Sequence, residues 1–97
     1  MKPSRSLASH LDQVLEVISR YPVRNPKLFG SAARGEDSEI SDLDILVEPE
    51  EKTTFYDLAR LELELESILG CKVDISTPGG LASKVAKGMA SDLKPLR

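Results

Sequence analysis

Asp42 and Asp44 flank Leu43, and Asp74 lies between Val73 and Ile75. Side chains of a strand alternate between its faces, so Asp42 and Asp44 share one face while Leu43, Ile45 and Val47 take the other. Two adjacent carboxylates repel each other and are normally retained around a cation. The run Lys72–Ser76 repeats the pattern, with Asp74 on the polar face and Val73 and Ile75 on the apolar one. If these strands are neighbours with their apolar faces buried together, Asp74 joins Asp42 and Asp44. Three hard oxygen ligands on one sheet face suit Mg²⁺ or Mn²⁺.

Gly30-Ser31 supplies the complementary half. Glycine permits close approach of backbone to a ligand. Ser31 can cap a helical turn over Ser31-Ala32-Ala33-Arg34, whose leading N–H groups form a phosphate cradle. Arg34 adds a cation, and Gly35 ends the turn. A carboxylate metal site beside a phosphate cradle is the equipment of two-metal phosphoryl chemistry. Singly, each feature has a plainer reading: a loop dipeptide, a turn, an exposed acid, a solvated arginine. Their conjunction is what points to chemistry.

The elements that must position these residues follow from periodicity. Leu7, Leu11, Val14, Leu15 and Ile18 predict a helix over about Ser6–Arg20, with Ser4 or Ser6 as N-cap and an end at Tyr21-Pro22. His10 lies beside that stripe as a boundary residue without chemistry. A short strand over Lys27–Phe29 leads to Gly30, and Glu36–Ser41 reads as a polar turn. Leu43–Val47 is a strand. A long helix capped by Thr53 or Thr54 runs to Leu69, with Phe55, Leu58, Leu61, Leu65, Ile68 and Leu69 inward and Asp57, Arg60, Glu62, Glu64 and Glu66 outward. Gly70 is its C-cap. A third strand covers Lys72–Ser76, a turn Thr77–Gly80, a last helix Leu81–Met89, and an extended segment Leu93–Leu96. The alternation implies an α/β (α+β) fold, a small mixed sheet with helices packed on it, forming a single domain over residues 1–97.

Composition sets the class. Hydrophobic residues are 40% and charged residues 30%, ordinary for a globular protein, but only Tyr21, Phe29, Phe55 and Tyr56 are aromatic. The core must be aliphatic, and a base-stacking surface for direct nucleic-acid binding is not expected. The net charge of −3 conceals a basic first third, a strongly acidic stretch over residues 36–66, and a basic end. Cys71 is the single cysteine, which excludes an internal disulfide and a multi-cysteine zinc site. No run is long and apolar enough to span a membrane and no secretory h-region opens the chain, so a cytoplasmic protein is expected.

The stretch Gly30-Ser31-Ala32-Ala33-Arg34-Gly35, followed by Ser41-Asp42-Leu43-Asp44, resembles the signature of the DNA polymerase beta-like nucleotidyltransferase superfamily. That signature is Gly-Ser, ten residues, then Asp-x-Asp, and this chain matches the spacing. The resemblance covers about Leu28 to Ser76. Within the superfamily the chain is most similar to the minimal nucleotidyltransferases of prokaryotes. The resemblance implies ATP as donor, two Mg²⁺ ions, and Asp42 and Asp44 as ligands of both. Asp74 would match the third carboxylate, and Gly30 and Ser31 the triphosphate-holding positions, with Arg34 and Ser41 beside them. It further implies an antitoxin that transfers AMP to a tyrosine of a HEPN-family ribonuclease toxin. Ala32 stands where relatives often carry a large residue, so no base contact carries over. Two other readings stay open at this stage: an antitoxin that neutralises its partner by contact alone, and a transferase acting on a small molecule.

Overall fold

The apolar stripe of the first segment folds as two helices rather than one. The computed structural model describes residues 2–79 and 93–96. Helix α1 spans Pro3–Ser9 and α2 spans Leu11–Ser19, with His10 between them at φ −121° and ψ 20°. The His10 ring N–H donates to the Ser6 carbonyl at 2.9 Å, taking an acceptor that a continuous helix would share only with its own backbone. The helix also starts earlier than Ser6: Pro3 occupies the first helical position, where its missing N–H costs nothing. Neither Ser4 nor Ser6 is the N-cap. That place belongs to Lys2, which makes no side-chain cap bond. Ser6 instead donates its hydroxyl to the Leu69 carbonyl at 2.7 Å, inside the protein.

Strand β1 spans Val23–Phe29, four residues earlier than the expected Lys27, because the chain accommodates Pro26 by an irregularity. The register with the next strand shifts between Arg24 and Lys27, and Asn25 takes φ 50°, a conformation asparagine tolerates. Strand β2 is Leu43–Pro49, helix α3 is Phe55–Leu69, β3 is Val73–Ser76 and β4 is Lys94–Pro95. The sheet order is β3-β2-β1-β4. Strands β1 and β2 are antiparallel, β2 and β3 parallel across the α3 crossover, and β4 runs antiparallel to β1. The helix expected over Leu81–Met89 lies outside the described residues.

One face of the sheet is the core. Leu43, Ile45, Val47, Val73 and Ile75 pack there against Leu7, Val14, Val17 and Ile18 and against Leu61, Leu65 and Leu69. The alternation in β2 and β3 thus resolves as expected, apolar side chains under the helices. Helix α3 begins with a capping box, Thr54 accepting from the Asp57 N–H while Asp57 accepts from the Thr54 N–H, and ends at Gly70 with φ 70°.

Phe55, expected inward, is 90% exposed. It is the first helical residue and sits on the flank of the apolar stripe, beyond the reach of the sheet. Glu62 and Glu66, expected to face solvent, instead bond the outer edge of β3. Glu66 accepts the Val73 N–H at 3.0 Å and Glu62 the Ile75 N–H at 2.7 Å. An edge strand offers a row of unsatisfied N–H groups, and these two carboxylates close it. Glu64 turns to the opposite flank and accepts the Tyr21 hydroxyl. Burial first, then Glu64, holds that phenol above its ordinary range. Replacing Glu62 and Glu66 together by Ala should cost about 2–4 kcal/mol, since each leaves a strand N–H without its charged acceptor. Urea unfolding of the double variant checks this.

Candidate active site

The parallel register of β2 and β3 sets Asp44 directly beside Asp74, and the antiparallel register of β1 and β2 sets Phe29 beside Asp44. Neighbouring strands lie about 4.8 Å apart. The end of β1, the start of β2 and the start of β3 therefore meet at one end of the sheet, on the face opposite the helices. Asp44 and Asp74 are half-buried there. Asp42, one residue before β2, is exposed at the mouth. Its position is fixed by Leu43, which is fully buried and donates its N–H to the Lys72 carbonyl at 2.8 Å.

Gly30 follows β1 with φ 77°, and a Cβ at that position would stand 2.6 Å from Asp44 Oδ2. Only glycine lets the backbone run against the carboxylate in this way. From Gly30 the chain makes a hydrogen-bonded turn over Ser31–Gly35: the Gly30 carbonyl accepts from Ala33 and Arg34 at 3.1 and 3.3 Å, and the Ser31 carbonyl from Glu36 at 2.8 Å. The Ala32 and Ala33 methyls are buried beneath it, and Ser31 is half-exposed at its head. Arg34 forms an exposed ion pair with Glu36, a kind of contact that contributes little to stability. Ser41 closes a second turn, its hydroxyl accepting the Ser38 N–H at 2.9 Å.

The sequence residues are thus brought together unevenly. Gly30, Ser31, Asp44 and Asp74 share one sheet end, Asp42 stands at its rim, Arg34 pairs with Glu36, and Ser41 shapes the loop that delivers Asp42. Among the described residues no three His, Cys, Asp or Glu side chains are grouped so that they could by themselves hold a metal ion. Mg²⁺ is usually held by one or two carboxylates together with water and substrate phosphates, so paired aspartates beside an open rim fit that ion better than one needing a full protein shell. A cavity of about 540 Å³ lies elsewhere, between α2 and β1, lined by Leu15, Ile18, Val23 and Pro26 with Arg24 and Lys27. Among the described residues that line it there is no acid, so these offer it neither a carboxylate metal ligand nor a carboxylate base.

One residue of the site region is not singled out by its sequence neighbours. Asp37 sits among the equally acidic Glu36 and Glu39 but is 4% exposed. Its carboxylate accepts both the Ser4 N–H and the Ser4 hydroxyl, each at 2.8 Å, and so caps α1 from 33 residues away. The one local hint is that α1 opens at Lys2-Pro3 without a capping side chain of its own. Burial pushes the Asp37 carboxyl up, but the two Ser4 donors, its own backbone N–H and Lys2 outweigh it and hold it below the ordinary range. A carboxyl lowered on folding stabilises above its unfolded value, about 3.9, and loses that contribution as pH falls through its folded value. The stability difference between the protein and Asp37→Asn should therefore shrink between pH 6 and pH 2.5, read from melting curves of both. Cys71, half-buried nearby, has its thiol pushed up by burial and by Glu66, Asp37 and Asp42, which disfavours the thiolate.

Comparison with known proteins gives the family of the chain. The nucleotidyltransferase domain model matches residues 11–96. The chain is 43% identical over 72 residues to the protein adenylyltransferase MntA of Thermococcus cleftensis, covering 74% of this chain and 73% of that protein. A solved structure described as a minimal nucleotidyltransferase superposes with a TM-score of 0.82 at 40% identity, covering 95% of this chain and 94% of that one. A chain of a toxin–antitoxin complex crystallised with AMP-PNP shares the fold, with a TM-score of 0.75 at 20% identity, over 89% of this chain and 71% of its own length. No helix among the described residues is long and apolar enough to cross a membrane. With a sheet end that pairs aspartates beside a Gly-Ser turn, and relatives that match it across most of its length, the chain belongs to the nucleotidyltransferase family and is a nucleotidyltransferase.

Proposed function

We propose that the protein transfers AMP from ATP to a tyrosine hydroxyl of a HEPN-family ribonuclease toxin, and thereby acts as its antitoxin in the cytoplasm. The observation that carries the reading is the register of Asp44 beside Asp74 with the Gly30 backbone against Asp44. The name of the MntA relative supports a protein acceptor, and the toxin–antitoxin neighbour supports a toxin as that protein. Asp42, Asp44 and Asp74 would hold two Mg²⁺ ions, with Mn²⁺ an acceptable substitute. Bound there, the ions supply positive charge for the triphosphate and make the acceptor hydroxyl more acidic.

The chain's own residues do the rest. Gly30 lets the triphosphate approach the backbone, and the head of the Ser31–Gly35 turn with the Ser31 hydroxyl binds its oxygens. Arg34, released from Glu36, adds a cation at the edge, and Ser41 holds the loop that presents Asp42. Asp74 accepts a hydrogen bond from the acceptor hydroxyl and takes its proton. The hydroxyl oxygen then bonds to the α-phosphorus, the bond from that phosphorus to the bridging oxygen breaks, and pyrophosphate leaves. The open sheet end, with Asp42 exposed at its rim, favours a protein surface as acceptor over an enclosed small-molecule pocket.

The test is rescue of cells expressing the proposed toxin partner. The wild type should restore growth and the Asp42→Asn/Asp44→Asn variant should not. Restoration by the variant, with the two proteins still co-purifying, would replace transfer by neutralisation through contact.

A further inference from the structure

The segment from Gly30 to Ser41 joins the two halves of the site, and it contains neither helix nor strand. Several of its polar bonds tie it to itself, among them Glu36 to Ser31 and Ser38 to Ser41. The buried methyls of Ala32 and Ala33 hold its first turn. Beyond that turn, Asp37 links it to the body of the protein through both carboxylate oxygens, each 2.8 Å from a Ser4 donor. Helix α1 is in turn fastened to the end of α3 by the buried bond from Ser6 to the Leu69 carbonyl at 2.7 Å. Leu69 lies five residues before Asp74. Helix α1 therefore connects the loop that contains the Gly-Ser turn to the start of the strand that contains Asp74.

A cap needed only for α1 would be supplied most simply by Ser, Thr or Asp at its N-cap. This chain has Lys2 there and takes the acceptor from the loop instead, burying a carboxylate to do so. Burial of a charge is costly unless it is fully hydrogen-bonded, so the arrangement makes the loop's position depend on α1.

We propose that Asp37 is a positioning residue for nucleotide binding: its latch on Ser4 fixes the Gly30–Ser41 segment, and with it the triphosphate cradle, relative to Asp74. The proposal rests on the reading of Gly30 and Ser31 as the triphosphate site.

The experiment is calorimetric titration of the full chain with AMP-PNP and Mg²⁺, well below each variant's melting point, for the wild type, Asp37→Ala, Asp37→Asn, Ser4→Ala and Thr54→Ala. Asp37→Ala should weaken binding about tenfold and Ser4→Ala about threefold, with Asp37→Asn recovering most of the loss because its amide oxygen still accepts. Thr54→Ala, which removes the α3 cap at the other end of the sheet, should lower the melting point and leave affinity unchanged. In steady state the Asp37→Ala loss should appear in the KM for ATP more than in kcat. Wild-type affinity in folded Asp37→Ala would overturn the proposal. Should that variant fail to fold, unchanged affinity in Ser4→Ala would overturn it equally. A wild type that binds no AMP-PNP would remove the nucleotide-site reading, and this inference with it.

Discussion

Asp44→Asn should reduce nucleotidyl transfer by about a thousandfold or more while leaving the protein folded. The substitution keeps the size and most of the hydrogen-bonding geometry of the side chain and removes one charge. Asp44 stands beside Asp74 in a parallel register, where like charges on adjacent strands are mutually unfavourable. Loss of a charge there relieves that repulsion and offsets what the amide loses in hydrogen bonding. The melting point should accordingly stay within about 5 °C of the wild type, a shift that corresponds to roughly 1 kcal/mol in a domain of this size. Loss of transfer without loss of stability marks a residue held for chemistry. A large drop in melting point would make Asp44 structural, and undiminished transfer would remove it from the site. Initial rates with saturating acceptor, alongside melting curves, give both quantities.

Gly30→Ala should be nearly as damaging, by a different route. The new methyl would stand 2.6 Å from Asp44 Oδ2, well inside contact distance, so the carboxylate must swing away or the loop must move. Either response separates the cradle from Asp44, and a misplacement of about 1 Å can cost about a hundredfold in rate. The φ of +77° adds strain, about 1 kcal/mol for a residue with a Cβ. Gly35 is the internal control. It has φ +72° but nothing within 4 Å of a Cβ, so Gly35→Ala should show the strain and keep most of the activity. Equal losses in the two variants would mean that backbone strain, not the approach to Asp44, accounts for the effect.

What the sequence makes legible here is what depends on short-range periodicity. The alternation of Leu43, Ile45 and Val47 with Asp42 and Asp44 specifies which face each occupies, because strand geometry ties every side chain to its neighbours two places away. The same holds for Val73, Asp74 and Ile75. Adjacent pairing of β2 and β3 follows from the single helix between them. Gly30-Ser31 is legible through its spacing to Asp42, and the structure adds the close approach to Asp44. The contacts that periodicity misses join distant residues. Asp37 looks like Glu36 and Glu39 until Ser4 is brought against it. Glu62 and Glu66 look solvated because a helical wheel does not show that an open strand edge lies beside them. The break at His10, where the ring reaches back to the Ser6 carbonyl, leaves no mark on the apolar spacing, which runs on either side as if the helix were continuous. Phe55 falls at the flank of the wheel's apolar side and beyond the end of the surface it would cover.

The most direct test of the central claim is intact-mass measurement of the proposed toxin partner after incubation with the full chain, ATP and Mg²⁺. The account predicts a toxin heavier by one or more AMP units, with a modified tyrosine and released pyrophosphate, and no change with the Asp42→Asn/Asp44→Asn variant or with EDTA. A toxin of unchanged mass that is nonetheless inactivated would contradict it.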